Sequence, residues 1–369
     1  MSRPLIVYLL DCFDDHGAAS QARLLAGALP VWGFDVRVVA LGRSGPLAAE
    51  FDALGAASVA LGRRRRFDPI AFAQFAGLLR GRRPALIHSW SDDAHLYAVA
   101  TARAASIRWI AAVRRLDRWN EPPAAALRRA LLRRADRIVV DGMALAEALA
   151  AHGLPRGKLV AIDNAAAAPP QPSSRSELLA ELGLDEKARL LAVVGPLERR
   201  KRIEDAIWAA DLLKVIRDDV HLLVIGRGPR QPFLERFRHL VRIADKVHFL
   251  GRRAELGRML PNIDLLLAPG DELGQSVAVI EAMAAGVPVV AADAPGTREL
   301  IDDERSGCLV RRGDRAALAR WANIVLDDAA LRARFSASAR NRWSERFRPE
   351  AILARWRDLY AECIEDRTE

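Results

Sequence analysis

Residues 265–292 read LLLAPGDELGQSVAVIEAMAAGVPVVAA, and this stretch decides the fold. The apolar runs at its two ends, 265–268 and 287–292, have the length and continuity of buried strands. Between them Ser276 is placed to cap a helix, Gly286 to end it, and Pro288 stands just beyond. Strand, helix and strand in this order predict a parallel sheet covered on both faces. The helix N-terminus, with its unpaired N–H groups, then forms an anion site where the strands end. Glu281 is the anomaly, a carboxylate in the second turn of an otherwise apolar helix. A vicinal ribose diol donating two hydrogen bonds would satisfy it, and so would a neighbouring arginine or backbone group.

The same alternation extends in both directions. Strands are predicted at 190–194, 221–225, 247–250 and 308–310, with helices at 203–216 and 232–241. In the N-terminal half strands are predicted at 5–10, 35–41, 85–88, 108–113 and 137–140, with helices at 19–29, 94–104 and 124–134. The stretch from Asn164 to Ser176 is rich in Ala, Pro and Ser and reads as an interdomain linker. The expected architecture is therefore α/β, with two tandem doubly wound, Rossmann-like domains facing a ligand cleft. Its boundaries are 1–168 for the first domain, 169–176 for the linker and 177–348 for the second domain. Residues 349–369 follow as a terminal helix, in which Ile352, Leu353, Trp356, Leu359 and Tyr360 make an apolar face that needs a surface to dock on.

Composition agrees with an ordinary globular enzyme-sized chain. At roughly 150 residues per domain, 369 residues suggest two domains. Hydrophobic residues are 51% and charged residues 28% of the chain, which excludes a disordered or fibrous protein. No apolar run approaches the ~18 residues of a membrane span, and the run 5–10 is halted by Asp11, so a cytoplasmic protein is expected. Cys12, Cys308 and Cys363 are too widely spaced for a metal clip or a disulfide framework. The net charge of +9 attracts anions without choosing among them.

Two further stretches could carry chemistry. The strand at 190–194 runs into Gly195-Pro196-Leu197-Glu198-Arg199-Arg200-Lys201-Arg202, where four cations could clamp a diphosphate. Such a run also fits a solvated face. Gly226-Arg227-Gly228-Pro229 begins like a dinucleotide fingerprint but has Gln231 in place of its third glycine, and Pro229 suits the first turn of a helix. His88 ends a buried strand, where it could touch a ligand or serve as a hydrogen-bonded structural histidine. Asp92 and Asp93 fit the N-terminus of a helix better than a metal site.

Taken in order, Val224–Pro229, Glu281–Ala291, Pro295–Glu299, Gly307–Val310 and Gly313-Asp314 resemble the family 4 retaining glycosyltransferases of GT-B fold, from about 190 to 314. The resemblance continues upstream in Gly17–Ser20, in Ala135–Val140 and in Asn164, and the terminal helix is similar to one that crosses back onto the first domain. It implies a nucleotide-diphosphate-sugar donor on the second domain and a saccharide or lipid-linked acceptor on the first. Glu281 would hold the ribose, Arg199, Arg200 and Lys201 the diphosphate, and Arg252 would sit near the base. Gly17 would approach the donor phosphates, and the backbone of Gly274, Gln275, Ser276 and Val277 would hold phosphate and sugar hydroxyls. No cofactor or metal is expected, because cations and a helix N-terminus neutralise the leaving diphosphate.

Three positions depart from the family pattern. Leu273 stands where the first of two paired glutamates is usual, and a one-residue bulge would bring Glu272 there as a catalytic carboxylate. Pro196 replaces the arginine that follows the glycine of the phosphate loop, and Arg114 replaces a catalytic-side histidine, as in some branches of the family. Loss of catalysis with nucleotide or sugar binding retained is the alternative these departures raise. Arg63–Arg66, Arg80, Arg82, Arg83 and the helix carrying Arg128, Arg129, Arg133 and Arg134 form basic patches that suit peripheral contact with an anionic membrane or a merely solvated face. Nucleic acid is not expected as a partner, because no recognition motif accompanies the charge.

Overall fold

A computed structural model describes residues 3–13, 17–116, 124–253 and 255–365, which form two compact α/β units. The first unit runs to Asp163 and takes in the chain again from Pro349, and the second is Asn164–Arg348. The sheet of the first unit comprises β1 (Leu5–Leu10), β2 (Asp35–Ala40), β3 (Ala57–Ala60), β4 (Leu86–Ser89), β5 (Arg108–Val113), β6 (Arg137–Val140) and β7 (Leu159–Ala161). All pairings are parallel, in the order β3-β2-β1-β4-β5-β6-β7. The second sheet comprises β8 (Arg189–Val194), β9 (Val220–Ile225), β10 (Val247–Gly251), β11 (Leu265–Ala268), β12 (Val289–Ala292) and β13 (Cys308–Val310). It too is parallel, in the order β10-β9-β8-β11-β12-β13.

Both sheets are doubly wound, with the direction of winding reversing between β1 and β4 and between β8 and β11. Central strands are mostly apolar because helices cover both faces; every residue of β1 and of β9 is buried, His221 included. Two apolar layers enclose the second sheet, one including Leu191, Leu222 and Leu265 and the other Leu190, Leu223 and Leu266. Alternate residues of one strand thus feed opposite layers.

β3 and β7 were not expected, and both lie at the edges of the first sheet. Their sequences, ASVA and LVA, are short and partly exposed, so they lack the apolar run that marks a buried strand. Pro229 does not open a helix as expected; the helix Gln231–Leu240 has Pro232 in its first turn instead.

The stretch expected to be an interdomain linker belongs to the second unit. Ala166 N–H donates to Phe347 O (3.2 Å), Trp343 Nε1 to Ala166 O (2.9 Å), and Asn262 Nδ2 to Ser173 O (2.8 Å). Ser174 then caps the helix Arg175–Leu182, which Gly183 ends at φ 67°. The division between units therefore falls at 163/164 rather than after Ala168. Proline-rich composition marks a chain without regular structure, and here its backbone bonds are made to neighbouring elements instead.

The helix Pro349–Glu365 packs in the first unit, burying Ile352, Trp356, Leu359, Tyr360 and Cys363. Leu353 is only partly buried. Arg355 donates to Ala161 O, and Arg137 bonds Glu362, so the helix is tied to β6 and β7.

Candidate functional site

In open parallel sheets a ligand sits beyond the carboxyl ends of the strands where the winding reverses. In the second unit those loops follow β8 and β11, and they carry the charged residues that the sequence singles out. After β8 the chain turns at Gly195 (φ +140°), where a Cβ would meet Lys201 Cε at 3.0 Å. Lys201 ends a 3-10 turn, Arg199–Lys201, and its ammonium forms an ion pair with Glu272 in the loop after β11. Arg200 Nη1 lies 3.4 Å from the same carboxylate, while its Nε bonds Glu198 at 2.8 Å. Side-chain exposure is 14% for Lys201 and 10% for Glu272, so the pair is largely withdrawn from water. A narrow pocket lies beside it, lined by Lys201, Gly270, Glu272, Ser276 and Thr297.

Backbone bonds fix this loop. Asp271 N–H donates to Arg200 O and Gly296 N–H to Glu272 O, each at 2.9 Å. Thr297 Oγ1 accepts from Ala294 N–H (3.0 Å) and donates to Ala292 O (2.6 Å), holding the turn after β12. A Cβ on Gly296 would stand 2.0 Å from Gly274 O, and one on Gly226 2.0 Å from Gly195 O. The glycines after β9 and β12 therefore serve contact between loops. In the sequence Gly296 and Thr297 carry only the resemblance; a glycine soon after a strand, as at Gly195 and Gly226, is the signal for this packing.

Gly274, Gln275, Ser276 and Val277 lead into the helix Val277–Ala285. Ser276 occupies the N-cap position as expected, but its side chain makes no capping bond; Gly286 ends the helix in the left-handed region at φ 71°. Gln275 is buried by two partners: Oε1 accepts from Asn164 N–H, and Nε2 donates to Glu299, both at 3.0 Å. Asn164 Nδ2 also donates to Gln275 O (3.0 Å). Gln275 is thus available to a ligand only through its backbone. Glu281, half-buried, lies in the second turn of the same helix, and half-buried Arg252 follows β10. Arg199 is exposed and is not drawn into the Lys201–Glu272 cluster.

Gly17, Arg114 and His88 belong to the first unit. Gly17, exposed, begins the helix Gly17–Ala28. His88 is fully enclosed between Trp90 and Trp356, with ring centroids at 4.3 and 5.1 Å. Its Nδ1 lies 2.7 Å from the Tyr360 hydroxyl, which lies 3.0 Å from the Tyr8 hydroxyl. Burial, with the charges of Arg114 and His95, holds His88 well below the usual imidazole range. Arg114 Nη1 meets Asp141 at 3.4 Å, and its guanidinium stands 5.3 Å over Trp90. His95 bonds Ser89 Oγ at 2.7 Å and is pushed by burial down to about 3.

The basic patches are less free than the sequence suggests. Arg63 and Arg66 hold Asp93 at 2.6 and 3.0 Å, Arg128 holds Asp92 at 2.7 Å, and Arg82 holds Asp35 at 2.6 Å. Ser91 caps the helix that Asp92 and Asp93 begin. Among the described residues no group of His, Cys, Asp and Glu is placed to hold a metal, and no helix is long and apolar enough to cross a membrane.

Two doubly wound parallel-sheet units in one chain define the GT-B class of fold. The HepE protein of Anabaena, solved with UDP-glucose, superposes with a TM-score of 0.85 at 19% identity, covering 98% of this chain and 99% of that one. The glycosyltransferase family 4 profile matches residues 16–166, and that of glycosyl transferases group 1 matches 174–342. The chain belongs to the family 4 glycosyltransferases. It is 28% identical over 192 residues to the N-acetyl-alpha-D-glucosaminyl L-malate synthase of Bacillus anthracis, covering 52% of this chain and 50% of that protein. It is 32% identical over 210 residues to a D-inositol 3-phosphate glycosyltransferase of Salinispora tropica, covering 53% and 43%. The chain thus spans about half the length of the curated relatives it matches.

Proposed function

We propose that this chain transfers a sugar, with retention of anomeric configuration, from a nucleoside-diphosphate sugar to a saccharide or lipid-linked acceptor. The observation that carries the reading is the Lys201–Glu272 pair, with Arg200 beside it, at the reversal of the second sheet and next to a helix N-terminus without a side-chain cap. As the bond between anomeric carbon and diphosphate breaks, charge grows on the leaving oxygen; Lys201, Arg200 and the N–H groups of the helix start are the groups to stabilise it. No metal is assigned to this step, since the cations and helix dipole already supply positive charge. Glu281 is assigned to the ribose hydroxyls, Arg252 to the base, and Gly17 to close approach of the phosphates. Glu272 takes the place that its neighbour Leu273 cannot fill, which supports an active enzyme over a binding protein that has lost catalysis.

UDP and UDP-glucose are the first ligands to test, because a structural neighbour holds UDP-glucose. At ~100 times its dissociation constant a ligand stabilises the folded state by ~2.7 kcal/mol, which a thermal-shift titration against UDP, GDP and ADP resolves. Selective stabilisation followed by sugar transfer is the expected result, with Glu272→Gln and Lys201→Met each lowering turnover at least ~100-fold, in the range of one electrostatic group. Binding without transfer or hydrolysis across several acceptors would replace the enzyme with the non-catalytic alternative. For a lipid-linked acceptor, Arg65, Arg129 and exposed Leu127 of the first unit are the proposed contacts with an anionic leaflet, tested by flotation on acidic against neutral vesicles.

A further inference from the structure

A second concavity of the second unit lies apart from the Lys201–Glu272 pocket, along the edge strand β13 and the loop that leads into it. It encloses about 830 Å³, within the ~300–1,000 Å³ of small-molecule sites. Buried Ile301 and half-buried Leu309 are the apolar residues of its otherwise charged lining. Its carboxylates are already engaged. Asp293 takes two bonds from Arg298, Asp302 one from Arg342 (2.8 Å), and Asp303 one from Leu309 N–H (2.7 Å). Of its four arginines, Arg298 and Arg312 are paired with carboxylates, whereas Arg305 and Arg311 are exposed and have no side-chain partner among the described residues. A guanidinium presents five donors and no acceptor, so two of them without counter-ions make the groove a receptor for anionic oxygen.

The shape narrows the class of ligand. A single phosphate would leave most of 830 Å³ unfilled. Leu309 offers apolar contact to the C–H face of a sugar ring, and the paired edges of Arg298 and Asp293 can give and accept hydrogen bonds with neighbouring hydroxyls. The groove is also joined to the proposed donor loop, because its wall residue Arg312 forms an ion pair with Asp271, the neighbour of Glu272. We propose that this groove binds a negatively charged oligosaccharide, a segment of acceptor or product that carries carboxylate groups. The inference deepens the transfer reading, and on that reading it names the acceptor's chemistry.

Titration calorimetry on the full chain, with tetragalacturonate as the probe and maltotetraose as its neutral counterpart, tests it. Tetragalacturonate is expected to bind at least ten-fold more tightly than maltotetraose, with affinity falling as salt is added. The double variant Arg305→Ala/Arg311→Ala should weaken tetragalacturonate at least ten-fold while leaving maltotetraose and UDP binding unchanged. Neither arginine holds a structural partner, so the variant should melt with the parent chain. Equal affinity for the two saccharides, or a double variant that binds tetragalacturonate like the parent, would overturn the site. Full displacement of the saccharide by equimolar inorganic pyrophosphate would overturn the saccharide assignment in favour of an isolated anion site. UDP binding without any tetragalacturonate binding would refute this inference alone, whereas absence of both would refute the transfer reading as well.

Discussion

The two units carry the same parallel, doubly wound plan and use the carboxyl ends of their strands in opposite ways. In the first, the ends of β1 and β4 lead to an enclosed aromatic cluster: Tyr8, His88 and Trp90 are sealed by Trp356 and Tyr360 from the end of the chain. In the second, the corresponding ends of β8 and β11 open into glycine-bearing loops that bring Lys201, Arg200 and Glu272 together. One sheet reversal is filled by packing and the other is left to chemistry. The lesson is that the reversal marks where a site can be built, while the residues that follow the strands decide whether one is.

The sharpest way to break this contrast is to fill a glycine in the second unit. Gly226→Ala would place a methyl group 2.0 Å from Gly195 O at a φ of +141°. Backbone strain and collision together are expected to cost about 3–5 kcal/mol and to abolish nucleotide binding. Scanning calorimetry would show the loss in the transition that UDP stabilises, with the other transition unmoved. A shared drop would mean that the units do not melt separately.

Tyr360→Phe is the matching change in the first unit. It removes the hydroxyl between Tyr8 and His88 and strands two buried polar groups, at about 1–3 kcal/mol each. The effect should appear in the transition that UDP does not move. Equal destabilisation of both transitions would show that the aromatic cluster is not private to the first unit.

Acid reaches both units through their histidines. Burial lowers His88 and His95 in the first, the latter to about 3, and lowers His221 in the second to about 4. A group whose pKa is depressed on folding contributes stability that is complete above its unfolded value near 6.5 and is lost as pH falls. His95 and His221 should therefore each weaken the folding equilibrium up to about ten-fold per pH unit as pH falls below roughly 6.5, down to about 3 and about 4 respectively. Denaturant midpoints measured across that window check the slope, and His95→Gln should flatten it in the first unit. At the small end, Arg312→Ala removes an exposed ion pair with Asp271 and should shift stability by no more than about 0.5 kcal/mol.

Much of this contrast can be read from the chain before any coordinates. The apolar runs of the central strands and the glycine-ended helix Val277–Ala285 lie where the periodicity puts them. Helices capped by Asp68, Asp314 and Asp328 went unassigned although their N-cap signals were present. Of the edge strands, β3 and β7 escaped because they are short and partly exposed and so carry no continuous apolar run, whereas β10 and β13 kept a mostly apolar one. At the candidate site, spacing along the chain favoured Leu273, and only the bonds from Asp271 to Arg200 and from Gly296 to Glu272 turn Glu272 toward Lys201. The aromatic seal on His88 was beyond reach because it pairs residues 272 positions apart, and a local pattern holds no record of such a contact.

The placement of the terminal helix sets a clock on biosynthesis. A ribosome finishes β7 long before it makes Tyr360, and the two are separated by roughly 200 residues, about 10–40 s of elongation. Throughout that interval Tyr8 and His88 lack the hydroxyl that joins them, and the apolar bed of Trp356 lies uncovered. The half of the molecule that emerges first is therefore the last to be completed. Its nascent form is the one that a chaperone would meet.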